Sequence, residues 1–84
     1  MIPREDIVAW GTEHPWSEYD QIEQDLLLSQ AICEIAKDSI ENLHRKLDDK
    51  QFTGDIYNLI RTDAPAYNVY KAGDIVEQEL LSKI

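Results

Sequence analysis

The sequence predicts a small all-α protein of about four helices, one of them a long central helix. Apolar residues recur at intervals of three and four between residues 22 and 47, which is the spacing of one helix face. No glycine or proline occurs between Pro15 and Gly54. No segment shows the strict apolar–polar alternation of a half-buried strand. We therefore expect residues 1–84 to form a single small helical domain.

The first helix is predicted for the segment IPREDIVAWG, with Pro3 in its first turn and Gly11 as its stop. The following TEHPW is predicted to be a loop, because a proline disfavours helical conformation in the residue before it. Ser17 is the predicted N-cap of the next helix, since its hydroxyl can accept a hydrogen bond from a free backbone N–H of the first turn.

A stripe with a seven-residue repeat follows, typical of a helix that packs against another helix. We expect this stripe to mediate self-association, through Ile22, Leu26, Cys33, Ala36, Ile40, Leu43 and Leu47. Ser29 also lies on the stripe, and Ser29 and Ala36 are its two weak members.

The length of the stripe leaves two alternatives. A helix over residues 18–48 would be about 46 Å long, whereas a globule of this chain length is about 30 Å across. Either the helix breaks near Asp38, with Asp38 and Glu41 forming a capping-box-like pair, or a second subunit covers the remaining stripe. We expect the continuous helix and a homodimeric helical bundle.

Two more helices are predicted after the stripe. A short one, over roughly residues 50–61, presents Phe52, Ile56 and neighbouring apolar residues. RTDAPAY then reads as a turn, and Asn68 is the predicted cap of a last helix. Gly73 inside that helix costs about 1 kcal/mol relative to alanine.

Charge and composition restrict the possible partners. The net charge is −9, and residues 1–34 carry eight acids against the single base Arg4. Such a surface repels phosphate backbones, so we expect no direct nucleic-acid binding. The expected partner is a protein: a second copy of the chain or a basic protein surface. From the sequence we expect no membrane span and no secretory signal, and the one cysteine leads us to expect a reducing, cytoplasmic location.

The sequence offers little for catalysis, and we expect no enzyme activity, no cofactor and no metal. Cys33 lies on the apolar stripe without a neighbouring base to lower its pKa, which indicates a buried structural thiol. Glu41 and His44 have the i, i+3 spacing of carboxylate-bridged di-iron bundles, but those sites need two such units. A metal-dependent enzyme formed across a dimer is therefore the weakest alternative.

Aromatic and acidic residues accumulate near the predicted first loop. Indole and phenol rings with one wet edge suit protein interfaces, although packing of the loop onto the core explains them as well. The predicted partner-binding residues are Trp10, Trp16, Glu18, Tyr19, Asp20, Glu23 and Asp25.

Two segments carry a resemblance to a known family. MIPREDIVAW, HPW and QIEQDLLLSQAICEIAKDSI resemble the opening of bacterial nucleotidyltransferase toxins of the abortive-infection AbiEii type. ENLHRKLDDKQFTGDIYNLIR and AYNVYKAGDIVEQELLSKI are similar to the end of the same family. The family's Gly-Gly-Thr/Ser motif and paired aspartates have no counterparts between the segments. The resemblance thus implies a core-less relative without transferase activity.

Two functional hypotheses follow. The first is a non-catalytic helical protein-interaction module, which self-associates or binds a component of a toxin or phage-defence system. The alternative is a small acidic phage-type inhibitor that mimics nucleic acid and presents its negative front end to the groove of a host defence nuclease.

Overall fold

The structure is a computed structural model that describes residues 4–13, 18–47 and 50–83. This part of the chain forms five α-helices. The helices are α1 (Arg4–Glu13), α2 (Gln21–Ala36), α3 (Ile40–Leu47), α4 (Lys50–Ile60) and α5 (Ala66–Ser82). No strand occurs in these ranges, so the predicted all-α class is confirmed. The count exceeds the expected four because the predicted central helix is two helices.

Helix α2 is the centre of the bundle and contacts each of the other four helices. α4 packs in addition on α1 and α3, and α5 packs on α3. The radius of gyration is 11.8 Å, and the principal extents are 35 × 24 × 22 Å. One apolar core joins all five helices and consists of Ile7, Leu28, Ala31, Ile32, Ala36, Leu43, Phe52, Ile56, Leu59, Ile60, Ala64, Val69, Ala72, Val76 and Leu80.

The chain reverses between α2 and α3, so the prediction of a continuous helix was wrong. Lys37 and Asp38 adopt left-handed backbone, with φ of 55° and 56°. The Asp38 N–H donates to the Cys33 carbonyl at 3.2 Å, which satisfies an acceptor at the end of α2. Ser39 then caps α3, because its Oγ accepts from the Asn42 N–H at 3.3 Å. The break lies where the alternative placed it, but the cap is Ser39 rather than Asp38.

This reversal also corrects the predicted self-association stripe. Ala36 and Leu43 are fully buried in the core of the same chain, and Ile40 and Leu47 are partly buried against it. Ala36 and Leu43 are therefore covered by helices of their own chain, and Ile40 and Leu47 are covered in part. The sequence correctly predicted that Ala36 and Leu43 are buried. The helices that bury them belong to the same chain.

The start of α2 is fixed by a capping box. The Glu23 N–H donates to Asp20 Oδ1 at 2.8 Å, and the Asp20 N–H donates to Glu23 Oε1 at 3.2 Å. Two free donors of the helix end are satisfied in this way. The predicted cap, Ser17, lies outside the described residues, and the helix begins later than expected.

The remaining boundaries differ by a few residues from those predicted. α1 continues through Gly11 to Glu13, because a helix tolerates a glycine at modest cost. α5 begins at Ala66 with Pro65 before it, and no side chain caps it. Asn68, the predicted cap, lies inside its first turn. α4 agrees with the predicted range to one residue.

The two glycines inside α4 and α5 differ in their surroundings and provide a matched pair for a stability measurement. A Cβ on Gly54 would meet no atom within 4 Å, whereas one on Gly73 would lie 2.9 Å from Leu47 Cδ2. We expect Gly54→Ala to raise the free energy of unfolding by about 0.5–1 kcal/mol. Gly73→Ala should gain at least about 0.5 kcal/mol less, since Leu47 has to move. Urea unfolding followed by circular dichroism measures both; equal gains would contradict the close approach of α3 and α5.

Lys37 permits a second test of the fold. Left-handed backbone disfavours residues that carry a Cβ, whereas glycine adopts it freely. We expect Lys37→Gly to raise the free energy of unfolding by about 0.5–1 kcal/mol, after allowance for the greater freedom of the unfolded glycine chain. Lys71→Gly, in the middle of α5, is the matched control and should lower it by about 1 kcal/mol. Destabilisation by both variants would show that the helix does not break at Lys37.

Candidate protein-interaction surface

An exposed apolar groove lies between α2 and α5. Ile22, Leu26 and Cys33 line it from α2, and Ile75 lines it from α5. Its volume is about 410 Å³. We refer to these residues, with Ser29 and Gln30, as the apolar groove. It retains the first part of the predicted self-association stripe, which no other helix covers.

The exposure of the groove residues is high for their type. Ile22 is 80% exposed, Leu26 43% and Ile75 38%. Isolated exposed apolar side chains are normal on a soluble protein, but a contiguous set around a concave surface is typical of an interaction site. Asp25 and Glu79 line the same groove, so its apolar surface has an acidic rim.

Gln30 contributes an unsatisfied polar atom to this region. Its Oε1 is buried and has no hydrogen-bond partner among the described residues. A buried carbonyl without a donor is unfavourable by about 1–3 kcal/mol. Gln30 thus lines the groove, and its buried Oε1 is an acceptor that the described residues leave without a donor.

Cys33 lies in the groove as a protonated thiol. Burial raises the pKa of the Cys33 thiol to about 11, and a hydrogen bond to Asp38 acts in the same direction. The negative charges of Asp38 and Glu79 raise this pKa further, against a smaller opposing effect of Lys83. Because the thiolate is the nucleophile, this environment supports the interpretation of Cys33 as a structural thiol.

The raised pKa predicts slow thiol chemistry. At mildly alkaline pH we expect Cys33 to react with iodoacetamide roughly a hundredfold more slowly than free cysteine, because so little of it is thiolate. Mass spectrometry of the alkylated chain measures the rate. The double variant Cys33→Ser, Ser82→Cys carries an exposed cysteine instead and should react at nearly the rate of the free amino acid. Equal rates in the two proteins would refute the burial of Cys33.

The predicted aromatic and acidic residues form a second, smaller cleft. Trp10, Glu18, Tyr19 and Glu23 line a space of about 280 Å³. The Trp10 and Tyr19 ring centroids are 6.1 Å apart at an angle of 32°, and the Tyr19 hydroxyl donates to the Trp10 carbonyl at 2.5 Å. We refer to this set as the acidic cleft. All four belong to the residues that the sequence predicted to bind a partner.

The other predicted partner-binding residues have different surroundings. Asp20 accepts the capping hydrogen bond at the start of α2 and thus has a structural role. Asp25 accepts from Gln21 Nε2 at 2.9 Å and lies on the rim of the apolar groove. Trp16 lies outside the described residues.

His44, one of the two residues with the di-iron spacing, is engaged in a contact between helices. His44 Nε2 lies 2.5 Å from Glu77 Oε1, an ion pair or hydrogen bond between α3 and α5. Among the described residues, no three histidine, cysteine, aspartate or glutamate side chains are grouped closely enough to hold a metal ion. His44 therefore has a clear structural role in joining α3 to α5.

Besides Gln30 of α2, the groove residues that sequence reasoning missed are Ile75 and Glu79. Both belong to α5, whose buried face consists of Val69, Ala72, Gly73, Val76 and Leu80. The sequence showed Ile75 as one more apolar residue of the last helix. Its place in a groove became visible only once the structure placed α5 against α2.

Comparison with protein-family models, with curated proteins and with solved structures finds no match to this chain. Within the described residues, no helix combines the length and the apolar character that a bilayer crossing demands. The apolar groove and the acidic cleft are therefore the features from which a function can be inferred.

Proposed function

We propose that this chain is a non-catalytic protein-interaction module that binds a basic amphipathic helix of a partner protein. The apolar groove receives the apolar face of that helix, and the acidic rim and acidic cleft bind its lysine and arginine side chains. The observation that carries the proposal is the exposure of Ile22, Leu26 and Ile75 around one groove, with Asp25 and Glu79 beside them.

The apolar groove supplies the stabilising part of the interaction. Covering an exposed large aliphatic side chain stabilises a complex by about 1.5–3 kcal/mol. A helix that places apolar residues at positions i, i+3 and i+4 is a common ligand of such grooves. A donor from a bound helix would also satisfy Gln30 Oε1 once that side chain rotates toward the groove.

Charge complementarity selects the partner. The chain carries a net charge of −9. Glu18 and Glu23 line the acidic cleft, and Asp25 and Glu79 line the groove. Opposite charge on the partner speeds association and excludes wrong partners, whereas like charges repel. A basic helix fits this surface.

A second copy fits less well. Two grooves that face each other would bring Asp25 and Glu79 of both chains together, and like charges oppose that contact. The stripe that favoured a homodimer is also shorter, because Ala36 and Leu43 belong to the core of their own chain. The basic partner is thus favoured over self-association.

The resemblance to AbiEii-type toxins suggests where the partner belongs: a toxin or phage-defence system. The acidic cleft also supports the second hypothesis, a nucleic-acid mimic that inhibits a nuclease. The two hypotheses differ in which residues dominate binding. An inhibitor of that type depends on Glu18, Glu23 and Asp25, and the module depends on Ile22 and Leu26 as well.

The proposal can be tested with a designed amphipathic peptide of leucine and lysine. We expect isothermal titration calorimetry to show saturable one-to-one binding, and a peptide with glutamate in place of lysine not to bind. Ile22→Ser should weaken binding about tenfold, because it removes one buried aliphatic side chain from the interface. Leu81→Ser is the matched control, since Leu81 is 46% exposed and does not line the groove, and it should change binding less than about twofold.

Several outcomes would contradict the module. Equal effects of Ile22→Ser and Leu81→Ser would show that the groove is not the binding site. Loss of binding on neutralising Glu18, Glu23 and Asp25, without an effect of Ile22→Ser, would favour the nuclease inhibitor. A dimer in light scattering at micromolar concentration that Ile22→Ser converts to a monomer would identify a second copy as the occupant.

A further inference from the structure

A third cavity lies between α1, α2 and α4 and shares no lining residue with the apolar groove or the acidic cleft. Its volume is about 500 Å³, within the range of small-molecule sites. Three basic side chains, Arg4, Lys37 and Arg61, line it together. We refer to it as the basic cleft.

The concentration of positive charge in this cleft is unusual for this chain. Only eight lysines and arginines occur in the sequence, against seventeen acids. None of the three cleft bases makes an ion pair or side-chain hydrogen bond within the part of the chain that the structure describes. In an acidic protein with many available carboxylates, three unpaired bases around one cavity indicate a site for an external anion.

The acids of the cleft do not neutralise it. Asp55 lies 3.8 Å from Lys46 and is thus paired with a base of α3. Glu34 is the remaining acid, against Arg4, Lys37 and Arg61. The long-range repulsion of an anion by the rest of the protein is screened beyond about 8 Å at physiological ionic strength.

Two of the bases are held in an unfavourable backbone conformation. Lys37 and Arg61 follow the last residues of α2 and α4, and their φ angles are 55° and 48°. Glycine is the residue usually found in this conformation after a helix. Attraction between an exposed cation and the negative end of a helix is weaker than the cost of left-handed backbone for such a residue. In place of glycine, both positions carry a basic side chain that lines the cleft.

The other walls of the cleft indicate the remainder of the ligand. Val8, Ile35 and Leu59 supply apolar surface. Asn58 supplies an amide that can donate to, or accept from, a hydroxyl group. The cleft thus combines a cationic region for an anionic group with an apolar wall for an organic body.

We propose that the basic cleft binds a small organic phosphate monoester. The phosphate contacts Arg4, Lys37 and Arg61, and the apolar body of the ligand lies on Val8, Ile35 and Leu59. A phosphate monoester carries close to two negative charges at neutral pH, which suits three bases better than a single carboxylate does. A polyanion such as nucleic acid is disfavoured, because its further phosphates would meet the acidic surface outside the cleft.

The test is a titration of the 15N-labelled full chain followed by NMR, at neutral pH and physiological ionic strength. Phenyl phosphate, inorganic phosphate and benzoate are the three probes. We expect saturable shifts of the backbone amides around residues 37, 58 and 61 with phenyl phosphate, and a Kd on the order of 1 mM. Inorganic phosphate, which lacks the apolar body, and benzoate, which has only one charge, should each bind at least about fivefold more weakly.

Variants connect this binding to the three bases. Lys37→Gly and Arg61→Gln should each weaken phenyl phosphate binding about tenfold, because each removes a charge-assisted contact. Lys71→Gln removes a base of α5 that does not line the cleft and should leave the Kd unchanged. Lys37→Gly is expected to be more stable than the natural chain, so weaker binding by this variant does not result from unfolding.

The proposal is wrong if phenyl phosphate causes no saturable shift, or if Lys71→Gln weakens binding as much as Lys37→Gly. Equal binding of benzoate and phenyl phosphate would overturn the assignment of a phosphate. Shifts confined to the apolar groove would assign the ligand to a different site and would also overturn the proposal.

Discussion

The reversal of the chain at Lys37 and Asp38 is the constraint on which the rest of the fold depends. A continuous helix of about 46 Å would exceed the longest dimension of the protein, 35 Å. Two left-handed residues and the Ser39 cap end one helix and begin the next within three residues. α3 can then pack on α4 and α5, which brings Leu43 into the core and Leu47 against Gly73.

The same reversal shapes two of the three surfaces, the apolar groove and the basic cleft. It removes Ala36 and Leu43 from the surface and leaves Ile22 and Leu26 exposed at the other end of the stripe. It also places the Lys37 side chain at the cavity between α1, α2 and α4. The apolar groove and the basic cleft thus depend on one backbone feature. Both are lined in part by residues of α2, a helix of 16 residues.

The sequence predicted which residues are buried more reliably than what covers them. The spacing of Ala36 and Leu43 required apolar cover, and this was correct. Whether the covering residues belong to the same chain depends on the break between α2 and α3. The seven-residue spacing in the sequence is the same for a continuous and a broken helix, so it does not reveal that break. Residues of the acidic cleft were predicted because they are close in sequence. The basic cleft was not, because Arg4, Lys37 and Arg61 meet only in the folded chain.

Net charge alone is a poor guide to the ligands of such a protein. A charge of −9 predicts a basic partner and argues against nucleic acid, and both conclusions concern ligands large enough to contact much of the surface. A small anion contacts one cavity, and charges more than about 8 Å away are largely screened from it. The charges that line a cavity therefore determine whether it binds a small anion. The net charge of the whole protein determines whether a large charged partner binds. For this reason an acidic interaction module and a phosphate site are physically compatible on one chain of 84 residues.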